Sequence, residues 1–380
     1  MPVEGRRRPA WAEVDVAALA HNAAALAALV APARLCAVVK ADGYGHGART
    51  VAPSLLAGGA GLLGVALVDE GIELREDGVE APILLLAEAQ PTALRDAIDA
   101  RLTLTVGSVR AAQDLVAAGG AAAVPVHVKL DTGMHRQGVA PGDLVTMLAV
   151  LADGGVAVGG IWTHFPVADG DSDEARAFTL GQLSTFGAAI AAVRGRLAAT
   201  VVRHAANTAG ALWFPSARLD LVRAGLGVYG CFPHPAMAQV LEAAGVPALR
   251  PVLSVKARVV AIRDLPAGAR PSYGRRRALA HDAQVATVPV GYADGYPRAM
   301  LDGGAEVLIR GRRRPLAGVV TMDQLLVECD GDAEVGDEVV LLGRQGHEEV
   351  TADEWARVLG TISWEVLCGL KPRIPKLAVE

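Results

Sequence analysis

Short apolar runs recur at near-regular intervals through the first two-thirds of this chain, and helical patterns lie between most of them. The runs are Leu35–Val39, Leu62–Leu67, Ile83–Ala87, Leu102–Val106, Val124–Leu130, Ile161–Phe165, Val201–His204 and Leu221–Tyr229. Val109–Ala118 and Glu174–Arg194 are clear examples of the intervening helical pattern. Parallel strands need a crossover of a dozen or more residues, usually a helix, to bring the chain back. Eight such units predict an α/β fold built on a (β/α)8, TIM-like barrel of about 250 residues. An open doubly wound sheet is the structural alternative.

After about Pro247 the texture changes. Val252–Ile262, Gln284–Val290, Ala305–Arg310, Gln324–Glu328 and Glu338–Leu342 are β-rich runs parted by Gly, Asp and Pro. No helical pattern separates these strands, so a second, mostly β domain is expected. The division is a barrel over 12–247 and a C-terminal β domain over 248–380, with residues 1–11 left open to pack against the latter. Thr351-Ala-Asp-Glu354 has the form of a capping box and predicts a late helix.

Composition narrows the function. The chain has 380 residues, is 52% apolar and carries a net charge of −5. A core of useful size is available and disorder is excluded. Mild acidity argues against a nucleic-acid surface, and 4% aromatics argue against a base-stacking platform. The cysteines (Cys36, Cys231, Cys329 and Cys368) are too scattered for a CxxC metal or redox motif. They read as reduced thiols and point to the cytoplasm. Arg6, Arg7 and Arg8 precede an Ala/Leu-rich run, but Glu13, Asp15, His21 and Asn22 spoil the pattern of a secretion signal. Val51–Val68 is uncharged, yet Pro53, Gly58, Gly59, Gly61 and Gly64 make it helix, turn and strand rather than a membrane span.

Chemistry-bearing side chains gather at strand ends. The first run closes on Lys40, followed by Ala-Asp-Gly-Tyr-Gly-His-Gly47. A lysine there either snorkels out at the barrel rim or serves as a Schiff-base nucleophile with a depressed pKa. In Val124-Pro-Val-His-Val-Lys-Leu-Asp131, alternation puts His127, Lys129 and Asp131 on one face. Inward polar residues at the end of a barrel strand suggest an active-site mouth; a solvated charge cluster is the other reading. Lys40, Lys129, His164, His204 and Arg223 all fall at or near predicted strand ends. Their convergence is more informative than any one of them.

Val39-Lys-Ala-Asp-Gly-Tyr-Gly-His-Gly47 resembles the cofactor-lysine signature of the alanine racemases, fold type III enzymes that use pyridoxal phosphate. The resemblance continues through Lys129–Arg136, Thr163–Phe165, His204–Thr208 and Arg223–Gly230. It extends to Ser272–Gly274, Gly291–Gly295 and Met322–Gln324, in the expected order along nearly the whole chain.

The resemblance implies racemisation of L- and D-alanine by two bases, supplying D-alanine for peptidoglycan. Lys40 would hold the cofactor as a Schiff base and act on one face of Cα. Tyr273, from the second subunit of a homodimer, would act on the other. Arg136 would engage the substrate carboxylate, and His204 would be a further partner of Tyr273. Lys129 beside Arg136 is awkward if both are cations; the family's solution is a carbamylated, anionic lysine. Arg223 would face the pyridine nitrogen with His164 behind it, and a permanently charged arginine would leave that nitrogen largely unprotonated. Tyr44, Thr208 and the amides of Gly225 and Leu226 would bind the phosphate, with Asn207 and Trp364 also at the cofactor. Tyr292, Met322 and Asp323 would come from the second subunit at the substrate entrance.

The chain departs from the family pattern at several positions. Trp364 stands where tyrosine is usual, Thr208 replaces serine, Thr321 stands where cysteine is frequent, and Gly43 replaces alanine. Trp364 bears most on cofactor affinity and pocket width. Alternatives are therefore a racemase for serine or another small amino acid in a specialised pathway, and a degenerate pyridoxal-phosphate-binding homologue. A type III decarboxylase would place an acid at the ring nitrogen, where this chain has Arg223. A single-barrel cofactor-binding protein would lack the second domain.

Overall fold

The computed structural model describes residues 8–122 and 124–380. Arg6, Arg7 and the rest of the segment 1–7 lie outside the described residues. One unit comprises Ala17–Gly43 and Ala48–Arg250. The other comprises the chain up to Val16, Tyr44–Gly47 and Pro251–Glu380. Among the described residues, no helix is long and apolar enough to cross a membrane.

The first strand, β1 (Ala10–Asp15), belongs to the second unit. The barrel strands follow: β2 (Arg34–Val38), β3 (Leu62–Val65), β4 (Ile83–Leu85), β5 (Thr105–Val106), β6 (Val126–Lys129), β7 (Val158–Trp162), β8 (Val202–His204) and β9 (Leu221–Ala224). They pair in the orders β4-β3-β2-β9 and β5-β6-β7-β8, all parallel. A parallel bridge between Leu84 and Thr103 joins β4 to the approach of β5. Amides of Asp220 and Arg223 donate to Arg203 and Ala206 carbonyls and join β8 to β9. The ring closes as a (β/α)8 barrel. Helices on the outside and side chains on the inside bury both faces, which explains the near-continuous apolar runs. Cys36, Leu62, Leu84 and Leu221 form one core cluster.

Several apolar runs outlast their strands. Leu221–Tyr229 leaves the ladder after Ala224, because Gly225 turns the chain (φ −100°, ψ −96°) into a buried 3-10 turn over Leu226–Tyr229. Asn22 has a different role from the interruption of an apolar run that the sequence suggests. It is fully buried within the helix Val16–Val30. Its Oδ1 accepts from the Arg250 amide, and its Nδ2 donates to the Val228 and Arg250 carbonyls.

The second unit is mostly β. Its strands are β10 (Leu253–Arg258), β11 (Ala261–Leu265), β12 (Ala283–Val288), β13 (Glu306–Ile309), β14 (Arg312–Pro315), β15 (Leu325–Cys329), β16 (Glu338–Gln345), β17 (Glu348–Val350) and β18 (Lys376–Val379). One sheet runs β14-β13-β16-β10-β1-β18, with β17 on β16; the other runs β11-β12-β15. The run Val252–Ile262 is two strands in different sheets. β14 carries no apolar pattern: Arg314 is buried and paired with Asp330 and Asp332, while Arg313 meets Glu306, Glu348 and Glu354. The helix Ala352–Leu359 starts where the capping pattern predicts, with Thr351 Oγ1 accepting from the Glu354 amide at 3.0 Å.

The chain leaving β2 makes an unusual turn. Ala41, Asp42 and Tyr44 have φ of 53° and Gly43 has φ of 63°, all left-handed. Non-glycine residues there cost about 1–2 kcal/mol each. Glu70 offsets part of this cost. One of its carboxylate oxygens accepts from the Ala41 amide at 2.6 Å, and the other from the Ala66 and Leu67 amides at 2.8 and 3.1 Å. Hydrogen bonds to a charged group contribute about 1.5–3 kcal/mol. Glu70→Ala is expected to lower unfolding free energy by roughly 2 kcal/mol in urea titrations, and Glu70→Gln by less, because glutamine keeps one acceptor. Equal stability of Glu70→Ala and wild type would show that the turn does not depend on this carboxylate.

Candidate active site

Lys40 follows β2, half-buried, at the start of the left-handed turn. On the neighbouring strand β9, Arg223 is almost fully buried. Its guanidinium is held by neutral acceptors. Nη1 donates to His204 Nδ1 at 2.9 Å, and Nη2 faces His164 Nδ1 and the carbonyls of Thr163 and Ala205 at 2.8–3.0 Å. Burial pushes the arginine pKa down to about 10, which still leaves a cation at neutral pH. Burial and then Arg223 push His164 and His204 well below the usual histidine range. Both rings are neutral.

His204 is committed on both sides. Its Nε2 lies 2.9 Å from His127 Nδ1, while its Nδ1 accepts from Arg223. Both of its ring nitrogens are thus engaged within the barrel.

Lys129, at the end of β6, is buried with its amine 4.6 Å from the centre of the Trp162 ring. Burial first, then Arg136 and Arg223, push its pKa down to about 8. About a tenth is therefore a neutral, nucleophilic amine at pH 7, far more than for an ordinary lysine. Asp131 is turned elsewhere: its Oδ1 accepts from the amides of Gly133, Met134 and His135. Arg136 follows this turn and is exposed. Trp162, which the sequence reading passes over, also lies under Arg223 (4.5 Å) and stacks on His204 (5.6 Å, 8° between planes).

Thr208 begins the helix after β8. Its Oγ1 accepts from the Gly225 amide at 3.1 Å and the Gly227 amide at 3.4 Å, with Leu226 between them. Both hydroxyl lone pairs are used, so its proton is left to donate to a further acceptor. A Cβ at Gly227 would lie 2.8 Å from the Thr208 methyl, so glycine is required there. Asn207 caps the same helix, with Oδ1 accepting from the Gly210 amide and Nδ2 donating to the Phe165 carbonyl.

The remaining candidates lie in the second unit. Tyr273 is 72% exposed in a loop where Ser272, Gly274 and Arg275 all have positive φ. Ser272 Oγ donates to the Val319 carbonyl at 2.6 Å and anchors that loop. Tyr292 and Met322 are also exposed, and their loops are joined by the Tyr292 and Ala293 amides donating to the Thr321 and Met322 carbonyls. Asp323 accepts from Arg373 at 2.7 Å. Tyr44 is buried, and burial raises its phenol pKa. Trp364 is half-buried in the helix Ser363–Cys368.

The barrel thus unites Lys40, Lys129, His164, His204, Thr208 and Arg223 at its strand ends, while Tyr273, Tyr292, Met322 and Asp323 stand on exposed or edge loops of the second unit. Known proteins share this organisation. Residues 14–233 match the family described as alanine racemase, N-terminal domain, and residues 252–378 match the alanine racemase C-terminal domain. An alanine racemase of Symbiobacterium thermophilum is 43% identical over 99% of this chain and 98% of its own length. One from a Nostoc species is 40% identical, covering 97% and 96%. The crystal structure of alanine racemase from D-cycloserine-producing Streptomyces lavendulae superposes with a TM-score of 0.90 at 34% identity, covering 99% of this chain and 98% of that one. The Bacillus anthracis enzyme with bound L-Ala-P gives 0.89 at 31%, covering 99% and 96%. This chain belongs to the alanine racemase family.

Proposed function

We propose that this protein interconverts L- and D-alanine using pyridoxal phosphate, as a cytoplasmic homodimer that supplies D-alanine for peptidoglycan. The observation that carries the reading is Arg223: a cation, held by neutral acceptors, stands where a decarboxylase of this fold type would have an acid. The donor set also fits the cofactor. Thr208 has a hydroxyl proton to give, the Leu226 amide lies in the turn between the two amides that donate to Thr208, and Lys40 supplies an amine at the same barrel mouth.

Bound at Lys40, the cofactor supplies an electron sink that acidifies the Cα–H of the amino acid. The residues of this chain do the rest. Lys40 Nζ takes or returns the proton on one face of Cα. Tyr273 of a second copy does so on the other face, which gives its high exposure a purpose. Arg136 orients the substrate carboxylate, and Lys129 as a carbamate anion orients Arg136. Tyr44, Thr208, Gly225, Leu226, Asn207 and Trp364 hold the phosphate end, Arg223 and His164 face the ring, and Tyr292, Met322 and Asp323 of the second copy close the entrance.

Purified protein with pyridoxal phosphate and L-alanine in D₂O is expected to lose the Cα proton signal and form D-alanine. Neither change, followed by turnover of L-serine or another amino acid in a panel, would replace alanine as substrate.

Composite sites predict complementation. Tyr273→Phe alone should cut kcat by about 10²–10⁴, the usual contribution of a positioned acid or base, and Lys40→Ala alone should be inactive. Unfolding and refolding the two variants together at equal amounts should restore about a quarter of wild-type activity, because half the dimers then hold one intact site. No recovery in a mixture shown to contain heterodimers would place both residues in one subunit's site.

Lys129 offers a separate test. ¹³C-bicarbonate should give a carbamate carbonyl signal that Lys129→Met abolishes. In carbonate-free buffer the folded lysine binds its proton less tightly than the unfolded one, about 8 against 10.5. Its burial therefore costs stability below pH 8, and that cost fades between about pH 8 and 10.5. Wild type should gain stability relative to Lys129→Met across that window; parallel curves would mean an unshifted amine.

A further inference from the structure

Arg223 has N–H donors and no acceptor. His204 Nδ1 therefore accepts from Nη1, and His164 Nδ1 faces Nη2, sharing its two protons with the Thr163 and Ala205 carbonyls; a proton on either imidazole nitrogen would oppose the guanidinium. Each ring then carries its proton on Nε2. The His204 Nε2 proton has His127 Nδ1 in reach at 2.9 Å, so His204 donates and His127 accepts. His127 in turn keeps its own proton on Nε2. One cation thus dictates the tautomers of three rings. A second proton on His164 or His204 would set N–H against the Arg223 N–H, and one on His127 Nδ1 would set N–H against the His204 N–H. Burial agrees with this assignment, since it pushes the His127 pKa down to about 4 and the other two well below the usual range.

An independent observation concerns the seat of the third ring. Gly160, on β7 beside β6, has the His127 imidazole where a side chain would start. A Cβ at that position would lie 2.6 Å from His127 Cγ and Nδ1 and 2.7 Å from Cδ2. The ring is edge-on to His204, with centroids 5.0 Å apart and planes at 62°. The barrel gives up a side chain on one strand to place an acceptor on the next.

We propose that His127, seated in the space left by Gly160, is a positioning residue: it accepts the His204 proton and so fixes the plane of the Arg223 guanidinium. It reaches no reacting atom itself and acts through His204. The kinetic part of this proposal rests on the racemase reading; the tautomer part does not.

The test begins with ¹⁵N-histidine NMR of the full-length protein, with assignments from single-histidine variants. His127, His164 and His204 should each show a bare Nδ1 and a protonated Nε2 near neutral pH. An imidazolium, or an Nδ1–H tautomer at any of the three, overturns the proposal. His127→Leu should lower kcat roughly tenfold with little change in KM, because a buried donor loses its acceptor and Arg223 loses its brace. His127→Asn, whose Oδ1 can stand in for Nδ1, should recover most of the rate. Gly160→Ala should behave as His127→Leu does and shift the His204 ¹⁵N resonances. An unchanged kcat in His127→Leu, or a loss that His127→Asn does not recover, refutes the positioning role. A wild-type protein that racemises no amino acid removes the racemase reading and leaves the NMR result to decide the tautomers.

Discussion

A guanidinium buried inside the barrel, with every hydrogen bond to a carbonyl or an imidazole, is the constraint on which this site depends. Burying an unpaired cation is costly unless its protons are satisfied. Here two carbonyls, two imidazoles and the face of Trp162 surround Arg223. The charge then governs its neighbours. It helps push down the pKa values of His127, His164, His204 and Lys129, and it opposes the rise that burial imposes on Cys36, up to about 12. A carboxylate near Arg223 would offset the charge and return those histidines toward protonation. The neutral surroundings of Arg223 and the neutrality of the rings are therefore one arrangement.

Much of the fold was legible because burial on both faces leaves a plain sequence mark. All eight barrel strands overlap the apolar runs, with ends displaced by at most three residues outside them, and Thr351 starts a helix as its capping pattern predicts. The edges of the β unit were not legible, for electrostatic reasons. β14 is Arg-Arg-Arg-Pro; it pairs with β13 through the left-handed turn at Arg310 and Gly311, while carboxylates mostly distant in sequence pair with Arg313 and Arg314. β1 and β18 pair with each other from opposite ends of the chain, and no local pattern encodes that partnership.

The site shows the same division. Lys40, Lys129, His164, His204 and Arg223 were visible as polar residues at the ends of apolar runs. Which atom meets which was not. The family resemblance gave His204 to Tyr273; within the barrel its two nitrogens meet His127 and Arg223. Gly160 and Trp162 looked like ordinary residues of one strand, yet one makes room for His127 and the other lies under the Arg223 guanidinium and the Lys129 nitrogen. Glu70 lies outside every motif, and its importance comes from three amides brought to it by two loops. Contacts of this kind depend on register and curvature, which composition does not record.

The two residues proposed for proton transfer share one more property. Lys40 leads into a run of left-handed residues, and Tyr273 sits between Ser272 and Gly274 in a loop with φ of 71°, 70° and 47° at Ser272, Gly274 and Arg275. Backbone in such conformations persists only where its surroundings over-determine it. Each turn has its own clamp: the Glu70 carboxylate and the Asp42 side chain, which accepts from Ala48, for the first; Ser272 Oγ on the Val319 carbonyl for the second. Gly318 completes the second clamp, because a side chain there would strike Pro271 and Ser272. A relaxed loop would reach the same positions only part of the time. Taking a proton from carbon tolerates little misplacement, so ordering these turns in the folded state removes a cost that each turnover would otherwise carry.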